Sequence, residues 1–343
     1  MKRGGGRRGR LKMSDIARLA GVSESTVSRA LRDSQLVNEQ TKERIRAIAR
    51  DHNYQVNESA RNLRLGRVQT IAVLIPLPSS SRQHISDPFF LDLLGSIADA
   101  VVDFGYDLLL SRPFDADWSG RFLESGRAEG MIVIGQAGYH EIIQDMASRH
   151  VPVVAWGARL EGQLYVSVGS DNYSGAFRAV SHLIGLGRRR IAFLGDATLP
   201  EIDLRHAGYC KALEDFDIEF DPALYIPTEF TMDAAVESVK RLLSLDPPID
   251  GIMASSDVIA MSAIQTLHGA GRRVPDDVSV VGYDDVRMAA TYSPALTTVR
   301  QDIAAGGRKL VELLLDRIQG EHVESVTLPT ELVVRRSCGG LQE

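Results

Sequence analysis

The feature that most constrains the fold is an alternation, starting near residue 70, of short apolar runs with longer amphipathic segments. Apolar runs of this length are typical of buried strands in parallel sheets. Segments such as FFLDLLGSIADAVVDFG and TMDAAVESVKRLLS instead repeat apolar residues at helical spacing. The predicted strands are TIAVLIP (70–76), YDLLLS (106–111), GMIVIG (130–135), VPVVAW (151–156), RIAFLG (190–195), GIMAS (251–255) and VSVVGYD (278–284).

Strands that alternate with helices predict βαβ units and doubly wound parallel sheets, the α/β fold class. Roughly 270 residues is generous for one such sheet, so we expect a body of two lobes, over residues 68–343. Ligands of these sheets bind in the crevice at the carboxyl ends of the strands.

The first part of the chain has another pattern. LKMSDIARLAGVSESTVSRAL contains two short helical segments, the first with Ile16, Ala17, Leu19 and Ala20 on its apolar side. Gly21 permits the positive φ that ends a helix, and Ser23 is a good N-cap for the next one. A three-residue turn with glycine between two short helices is typical of a helix-turn-helix. We therefore predict an all-α DNA-binding domain over residues 13–56.

The second of these helices has two unlike faces. Val22, Val27, Ala30 and Leu31 fall on one side, and the other side is polar. Such a helix enters the major groove, where an arginine makes bidentate contacts to guanine and hydroxyls reach bases or phosphates. The predicted DNA contacts are Glu24, Ser25, Thr26, Ser28, Arg29 and Arg32. For Glu24 two interpretations stay open: an acceptor for a cytosine amine, or a charge that favours the helix dipole.

A third helix should complete the domain. It would start after Asn38 as N-cap, with Ile45, Ile48 and Ala49 facing inward and Tyr54 beyond its end. Next comes NESARNLRLGR (57–67), which is short, polar and basic except for its leucines. It is either a flexible linker or a short helix that orders on DNA, where Arg61 would contact the duplex and Leu63 would enter a minor-groove base step.

Charge and composition narrow the function classes. Residues 1–67 hold 16 Lys/Arg against 7 Asp/Glu, a net +9, whereas the remaining 276 residues carry a net −15 from 23 against 38. A basic head on an acidic body suggests a polyanionic partner for the head. The two distant cysteines argue against a disulfide framework or zinc site, and neither metal nor cofactor is expected. With no signal-type h-region and no 18-residue apolar run, we predict a cytoplasmic protein without a membrane partner.

The first 12 residues, which include the basic stretch MKRGGGRRGR, are expected to form a disordered tail, either without a role or touching DNA phosphates. Met13 is an alternative start. After VVRRS the ending CGGLQE has no heptad leucines, so a tetramerising helix is not expected and a homodimer is.

Several motifs together resemble the lactose-repressor (LacI/GalR) family of bacterial transcription regulators. They are GVSESTVSRAL, VNEQTKERIRAIARDHNYQVNESARNLR, QTIAVLIP, SDPFF, SDN, LRHAGY, ASSDVIAM, VPDDVSVVGYDD, SPALTTV and VVRRS, and the resemblance spans about 330 residues. It implies a helix-turn-helix head, a hinge helix with Leu63 as the wedge, and a periplasmic-binding-protein-like (type I) body of two lobes. Such a body closes on a small effector.

The resemblance also implies effector-binding residues, motif by motif. They are Asp87, Phe89, Phe90, Trp156, Asp171, Arg205, Phe230, Asp257 and Asp284. Their chemistry suits a polyol, because carboxylates accept from hydroxyls, Arg205 donates, and aromatic rings cover the C–H faces of a sugar. Alternatives stay open: Asp171 and Asp257 as helix caps, and Trp156 and Phe230 as ordinary core.

The effector class rests on two departures from the purine-binding members of that family. The purine-binding members have an arginine at the position of Leu199 and an acidic residue at the position of Ala155. Both departures favour a sugar or glycoside, with Glu201 as a further hydroxyl acceptor or a surface carboxylate. In most of the family the effector releases DNA, whereas purines promote binding, so a purine-like or phosphorylated co-repressor is the alternative.

Two other classes of protein share part of this pattern. A cytosolic sugar-modifying enzyme would share the α/β lobes, but the sequence has no Walker loop, G-x-S-x-G elbow, H-E-x-x-H motif or acid/base pair. An exported sugar-binding protein would not explain the helix-turn-helix. The sequence therefore predicts a regulator, not an enzyme, in which a dimer places two heads on a pseudo-palindromic operator.

Overall fold

The computed structural model describes residues 12–52, 54, 68–77, 82–113 and 117–340. It divides into two compact units at the Val68–Gln69 boundary. The predicted hinge at 57–67, with Arg61 and Leu63, lies outside the described residues, as does nearly all of the predicted tail.

The first unit is a small helical domain, as predicted. Its described helices are α1 (Met13–Ala20), α2 (Glu24–Leu31) and α3 (Glu39–Asp51). Gly21 ends α1 with φ 64°, and the Ser23 side chain caps α2 by accepting a 3.2 Å hydrogen bond from the backbone N–H of Thr26. Asn38 caps α3 in the same way, through Thr41. The turn residues therefore act as the sequence indicates.

The core of this domain is formed by one face of each helix. Its buried members are Ile16, Ala17, Ala20, Val27, Ala30, Val37 and Ile45, with Val22, Leu31, Ile48 and Tyr54 packed against them. One prediction is wrong: Leu19 is 49% exposed. Leu19 lies on α1 to one side of the arc shared by Ile16 and Ala20, which are one turn apart, so α2 and α3 do not cover it.

In the second unit, the described strands form two six-stranded sheets. The first has the order β11-β5-β4-β3-β1-β2 and the second β12-β10-β9-β8-β6-β7. Neighbours are parallel except β10 and β12, which are antiparallel. The strands are β1 (Thr70–Leu74), β2 (Asp107–Ser111), β3 (Gly130–Ile134), β4 (Val153–Trp156), β5 (Val166–Ser170), β6 (Ile191–Leu194), β7 (Tyr225–Ile226), β8 (Gly251–Ala254), β9 (Ser279–Asp284), β10 (Thr297–Gln301), β11 (Val326–Leu328) and β12 (Thr330–Val333).

Helices connect the strands, which confirms the doubly wound α/β class. They are α4 (Pro88–Asp103), α5 (His140–Ser148), α6 (Asn172–Gly185), α7 (Pro200–Asp215), α8 (Met232–Leu243), α9 (Asp257–Gly269) and α10 (Ile303–Ile318), with a π-helical turn at Gly120–Glu124 and 3-10 turns at Pro222–Leu224 and Arg287–Ala290. The seven predicted strands are all present. Five strands, β5, β7, β10, β11 and β12, were not predicted.

Each sheet, with the helices that pack on it, forms one lobe; lobe 1 contains the first sheet and lobe 2 the second. The chain passes between the lobes three times: after β5, after β10, and between β11 and β12. Helix α10 follows a strand of lobe 2 but packs on α4 and on strands β3, β4 and β5 of lobe 1. The two-lobe body is therefore confirmed, and each lobe contains segments from both ends of it.

Candidate functional site

The outward face of α2 carries the predicted DNA-reading residues. Arg29 is exposed, and no described residue accepts a hydrogen bond from its guanidinium. Ser25 and Thr26 lie near the start of the helix, where their hydroxyls contact the Ser23 hydroxyl at 2.8 and 2.9 Å. Glu24, the first residue of α2, is also exposed. The start of the helix therefore presents short hydroxyls and the Glu24 carboxylate, and Arg29 lies in its last turn.

The end of α2 is held against α3 by charged side chains. Arg32 turns back along its own helix, where Nε and Nη2 donate to the backbone oxygen and hydroxyl of Ser28 at 3.0 and 2.7 Å. Asp33, at φ 61°, accepts from Lys42 Nζ at 2.9 Å and from Arg46 Nη2 at 2.8 Å. The two cations lower the pKa of Asp33. These ion pairs tie the residue after α2 to α3, which carries Lys42 and Arg46.

A cavity of about 390 Å³ lies in the second unit and is lined by residues from both lobes. This volume is within the range typical of small-molecule sites, roughly 300–1,000 Å³. The lining includes seven of the nine predicted effector residues: Asp87, Phe89, Phe90, Trp156, Arg205, Phe230 and Asp284. Trp156 and Asp284 end strands β4 and β9, Phe230 follows β7, the residues from Asp87 to Phe90 begin α4, and Arg205 lies in the second turn of α7. They occupy the carboxyl edges of the sheets, as expected for doubly wound folds.

Aromatic rings form one wall. Phe89 lies 5.8 Å from Phe90 and 6.1 Å from Trp156 between ring centroids, both tilted. Trp156 is 5% exposed and belongs to the lobe 1 core, where a Cβ on Gly306 of α10 would meet its ring at 2.4 Å. Trp156 is therefore core on one side and cavity wall on the other. Phe230 contributes from lobe 2, half-buried against two core clusters.

Arg205 is the only basic residue among the described lining residues. Its Nε donates to Asn172 Oδ1 at 2.7 Å, its Nη1 to the backbone oxygen of Ser255 at 2.5 Å, and its guanidinium lies 3.6 Å from the centroid of the Tyr283 ring. The side chain is buried and held on three sides. It therefore offers a ligand a fixed donor rather than a mobile charge.

Two carboxylates face the same space. Asp87 caps α4 by accepting from Phe89 N at 3.0 Å, and also accepts from Gln83 Nε2 at 3.2 Å. Asp284, at φ 113°, accepts from Gln301 Nε2 at 2.7 Å. Burial raises the pKa of both carboxyls, that of Asp284 to about 7. A carboxyl group accepts hydrogen bonds from hydroxyls when ionised and donates one when protonated.

The described lining of the cavity leaves out Asp171 and Asp257. Asp171 is the N-cap of α6 and accepts from Ser174 N at 3.0 Å, as in the alternative interpretation. Asp257 is buried at the start of α9, where Ser256 is the cap; it accepts from Thr298 Oγ1 at 2.5 Å and from Val286 N at 2.8 Å. Both carboxylates thus hold backbone in place beside the cavity rather than facing it.

The residues that bear on the effector class are placed differently. Leu199 and Glu201 line the cavity at the start of α7. Ala155 does not belong to the described lining: it is buried in β4 among the core residues on the opposite face from Trp156. The argument against a purine therefore depends on Leu199, because position 155 faces core.

Sequence reasoning missed some lining residues. Gln136 follows β3, and Gln83, Asp196 and Glu229 lie in loops that border the cavity. The rule that ligands bind at strand ends would have selected Gln136 and Asp196, since each comes one or two residues after a strand. Among described residues, no group of three or more His, Cys, Asp or Glu side chains is placed to hold a metal ion.

Comparison with known proteins places this geometry in a family. Residues 12–57 match the model of bacterial regulatory proteins of the lacI family, and residues 180–338 match a periplasmic binding protein-like domain. The chain is 32% identical to the HTH-type transcriptional regulator CelR of Thermobifida fusca over 96% of its own length and 99% of that protein. The chain belongs to the lacI family.

Solved structures of lacI-family proteins share the fold over nearly the whole chain. A complex of the regulator CelR with cellobiose has 30% identity and a TM-score of 0.72, covering 96% of this chain and all of that one. A lac repressor dimer bound to operator and the anti-inducer ONPF has 25% identity and a TM-score of 0.84, over 96% and 99% of the two chains. As a lacI-family member the protein is a DNA-binding transcription regulator. None of its described helices is long and apolar enough to cross a membrane.

Proposed function

We propose that this protein is a repressor that a neutral sugar or glycoside releases from a palindromic operator. The observation that supports a sugar as the effector is the composition of the cavity wall. It has tilted aromatic rings beside several carboxylates and one fixed arginine. Rings cover the apolar C–H faces of a sugar, and carboxylates accept from its hydroxyls. An anion would meet more acidic than basic side chains here.

On the DNA side, the outward face of α2 supports a reading role for Glu24, Ser25, Thr26, Ser28 and Arg29, with Arg32 just beyond the helix. A single helix reads only a few base pairs, so we propose a homodimer that places two heads on two half-sites. Arg61 and Leu63, which lie outside the described residues, are proposed to grip the duplex and to enter a minor-groove step.

Release follows from thermodynamic linkage. An effector shifts DNA affinity only through its differential affinity for two conformations of the protein. Because residues of both lobes line the cavity, a bound sugar would favour the arrangement in which both sets of contacts form at once. Residues 57–67, between the two units, are the proposed link from that arrangement to the heads.

We further propose that the protein acts in the cytoplasm, where its operator would be, and catalyses no reaction on its effector. The similarity of the CelR–cellobiose complex supports a saccharide effector. Leu199 at the cavity wall supports a sugar over a purine, since an apolar side chain gives a purine's polar edge no partner.

A thermal-shift screen of the full chain tests this function. The panel would contain neutral mono- and disaccharides, their phosphates, purines and nucleosides, followed by a DNA-binding assay with each compound that stabilises the protein. A ligand at 100 times its Kd stabilises the folded state by about 2.7 kcal/mol. A neutral saccharide that both stabilises the protein and releases DNA is expected. A purine or phosphate that stabilises it and strengthens DNA binding would replace induction by co-repression.

A further inference from the structure

Two polar side chains in the cavity wall have hydrogen-bonding atoms that the fold does not use. Gln136 comes from lobe 1 and Glu201 from lobe 2. In each, Oε1 is buried and accepts no hydrogen bond from any described residue. A buried acceptor without a partner is costly, so its persistence suggests a donor that is supplied from outside the chain.

The orientation of the Gln136 amide follows from its neighbours. Its Nε2 donates to the backbone oxygen of Ala158 at 2.8 Å and lies 2.9 Å from the hydroxyl of Tyr165. Turning the amide over would set Oε1 against the Ala158 oxygen, two acceptors facing each other. Both amide hydrogens are therefore used in hydrogen bonds. The atom of this fully buried side chain that has no partner is the acceptor Oε1.

The fit around Gln136 is tight. A Cβ on Gly157 would lie 2.4 Å from Gln136 Oε1, so only glycine at 157 leaves the carboxamide its place. The hydroxyl of Tyr165 in turn lies 2.9 Å from His140 Nδ1. The side chain is thus fixed by backbone on one side and by an aromatic hydroxyl on the other, which suits recognition more than simple filling of space.

Glu201 reaches the same region from α7. Burial raises the pKa of Glu201. The backbone N–H groups of Ala158, whose carbonyl accepts from Gln136, and of Glu201 itself favour the ionised form of the Glu201 carboxyl and so act to lower its pKa. Gln136 and Glu201 therefore both lie next to Ala158, which brings one spare acceptor from each lobe to the same part of the wall.

We propose that Gln136 and Glu201 form a two-acceptor subsite that binds two hydroxyl groups of a neutral sugar and determines which sugars this protein accepts. The subsite rests on the proposed sugar effector and specifies its chemistry. Two acceptors require two donors, such as a pair of neighbouring hydroxyls. A phosphate or carboxylate at that place would oppose Glu201, and a deoxygenated carbon would leave both oxygens without partners.

The test combines changes in the protein with changes in the ligand. Isothermal titration would use the full chain and, from a panel of cellobiose, maltose, ribose and other neutral saccharides, the one that binds most tightly. Each of its monodeoxy analogues would then be titrated against wild type, Gln136→Met, Glu201→Leu and the control Glu214→Gln. Glu214 lies on the same helix as Glu201 but is exposed, paired with Lys211.

We expect that wild type and Glu214→Gln bind the two relevant deoxy analogues about tenfold or more weaker than the parent sugar. Gln136→Met and Glu201→Leu should each bind the parent sugar about tenfold or more weaker than wild type does. Each variant should bind the matching deoxy analogue with nearly the same affinity as the parent sugar, because the contact is already absent. If all four proteins showed the same ratio of affinities for the parent sugar and its deoxy analogues, the subsite would be refuted, but the proposed sugar effector would not. If no saccharide binds wild type, the proposed effector class fails and the subsite fails with it.

Gly157→Ala provides an independent test, because it leaves both Gln136 and Glu201 in the sequence. Its methyl group would displace the Gln136 carboxamide, so it should weaken the same hydroxyl contact as Gln136→Met and leave the Glu201 contact in place. Discrimination at both hydroxyls as strong as in wild type would contradict the role of Gln136.

Discussion

The guanidinium of Arg205 lies over the ring of Tyr283, with 3.6 Å from the Arg205 carbon Cζ to the ring centroid. Arg205 comes from α7 and Tyr283 from β9, and the same guanidinium also donates to Asn172 at the start of α6. One side chain of the cavity wall therefore ties together three elements of lobe 2. Its role in binding cannot be separated from its role in stability.

Arg205→Ala should lower the free energy of unfolding by about 2–4 kcal/mol. The change removes a desolvated cation–π contact and leaves Asn172 Oδ1 and the Ser255 oxygen without a donor. Urea denaturation of the full chain measures it, with Arg241→Ala, an exposed arginine at the end of α8, as a control expected within about 0.5 kcal/mol of wild type. A loss of ligand response without a loss of stability would show that the three contacts are weak.

The stability of the body should fall as pH rises from about 4 to about 7 and then level off, because burial raises the pKa of Asp284 from 3.8 to about 7. A carboxyl whose pKa is higher in the folded than in the unfolded state binds its proton more tightly when folded. Its contribution is therefore complete below the unfolded pKa, near 3.8, and is lost as pH rises through about 7.

Asp284→Asn should flatten that pH dependence. Asparagine tolerates the positive φ of 113° better than alanine, so it removes the titration with the least added strain. The difference between a pKa of 3.8 and one of about 7 corresponds to at most about 4 kcal/mol of pH-dependent unfolding free energy. Unfolding free energies at several pH values between 4.5 and 8.5 provide the measurement, and parallel curves for the two proteins would exclude Asp284 as the titrating group.

The close approach of α6 and α7 depends on Gly208. A Cβ there would lie 2.2 Å from the backbone oxygen of Tyr173. Gly208→Ala should therefore force the two helices apart and cost about 1–3 kcal/mol. Gly185→Ala, on α6 with no described atom within 4 Å of the added methyl, should instead be neutral or stabilise by up to about 1 kcal/mol. Thermal unfolding distinguishes the two, and a similar Tm for both variants would contradict the tight contact.

Arg29→Ala should weaken specific DNA binding by about 1–3 kcal/mol and relax the preference at one base position. The side chain is exposed and makes no hydrogen bond or ion pair with other described residues, so the fold of the head should be unchanged. Fluorescence anisotropy would compare duplexes that wild type selects from a random pool with scrambled duplexes. Equal losses on both kinds of DNA would assign Arg29 to phosphate contact rather than base reading.

The strands with continuous apolar sequences were predictable. The strands whose buried side chains depend on contacts with residues far away in the sequence were not. β10 has the sequence TTVRQ, yet Thr297 and Thr298 are fully buried. Thr298 donates to Asp257, and Thr297 Oγ1 accepts from the backbone N–H of Arg335. β5 contains Gly169, where a Cβ would meet the Gly157 oxygen at 2.1 Å. Such pairings depend on tertiary structure, which local patterns do not contain.

The cavity was predictable in part for the same reason. Family motifs selected Arg205, Asp284 and the aromatic residues, all of which line it. They also selected Asp171 and Asp257, whose carboxylates turn to backbone and hydroxyl partners. Gln136 belongs to no motif, and only the contacts of its amide with Ala158 and Tyr165 reveal the spare acceptor. The direction of a side chain is set by such neighbours.

The threefold passage of the chain between the lobes has a consequence for how the protein is made. Lobe 1 begins with β1 near residue 70, but its sheet is completed only by β11 at Val326–Leu328, and lobe 2 is completed by β12 directly afterwards. During synthesis on the ribosome, neither lobe has its full set of strands until nearly all of the chain has emerged. The small helical head, complete by about residue 54, can fold long before its control domain exists.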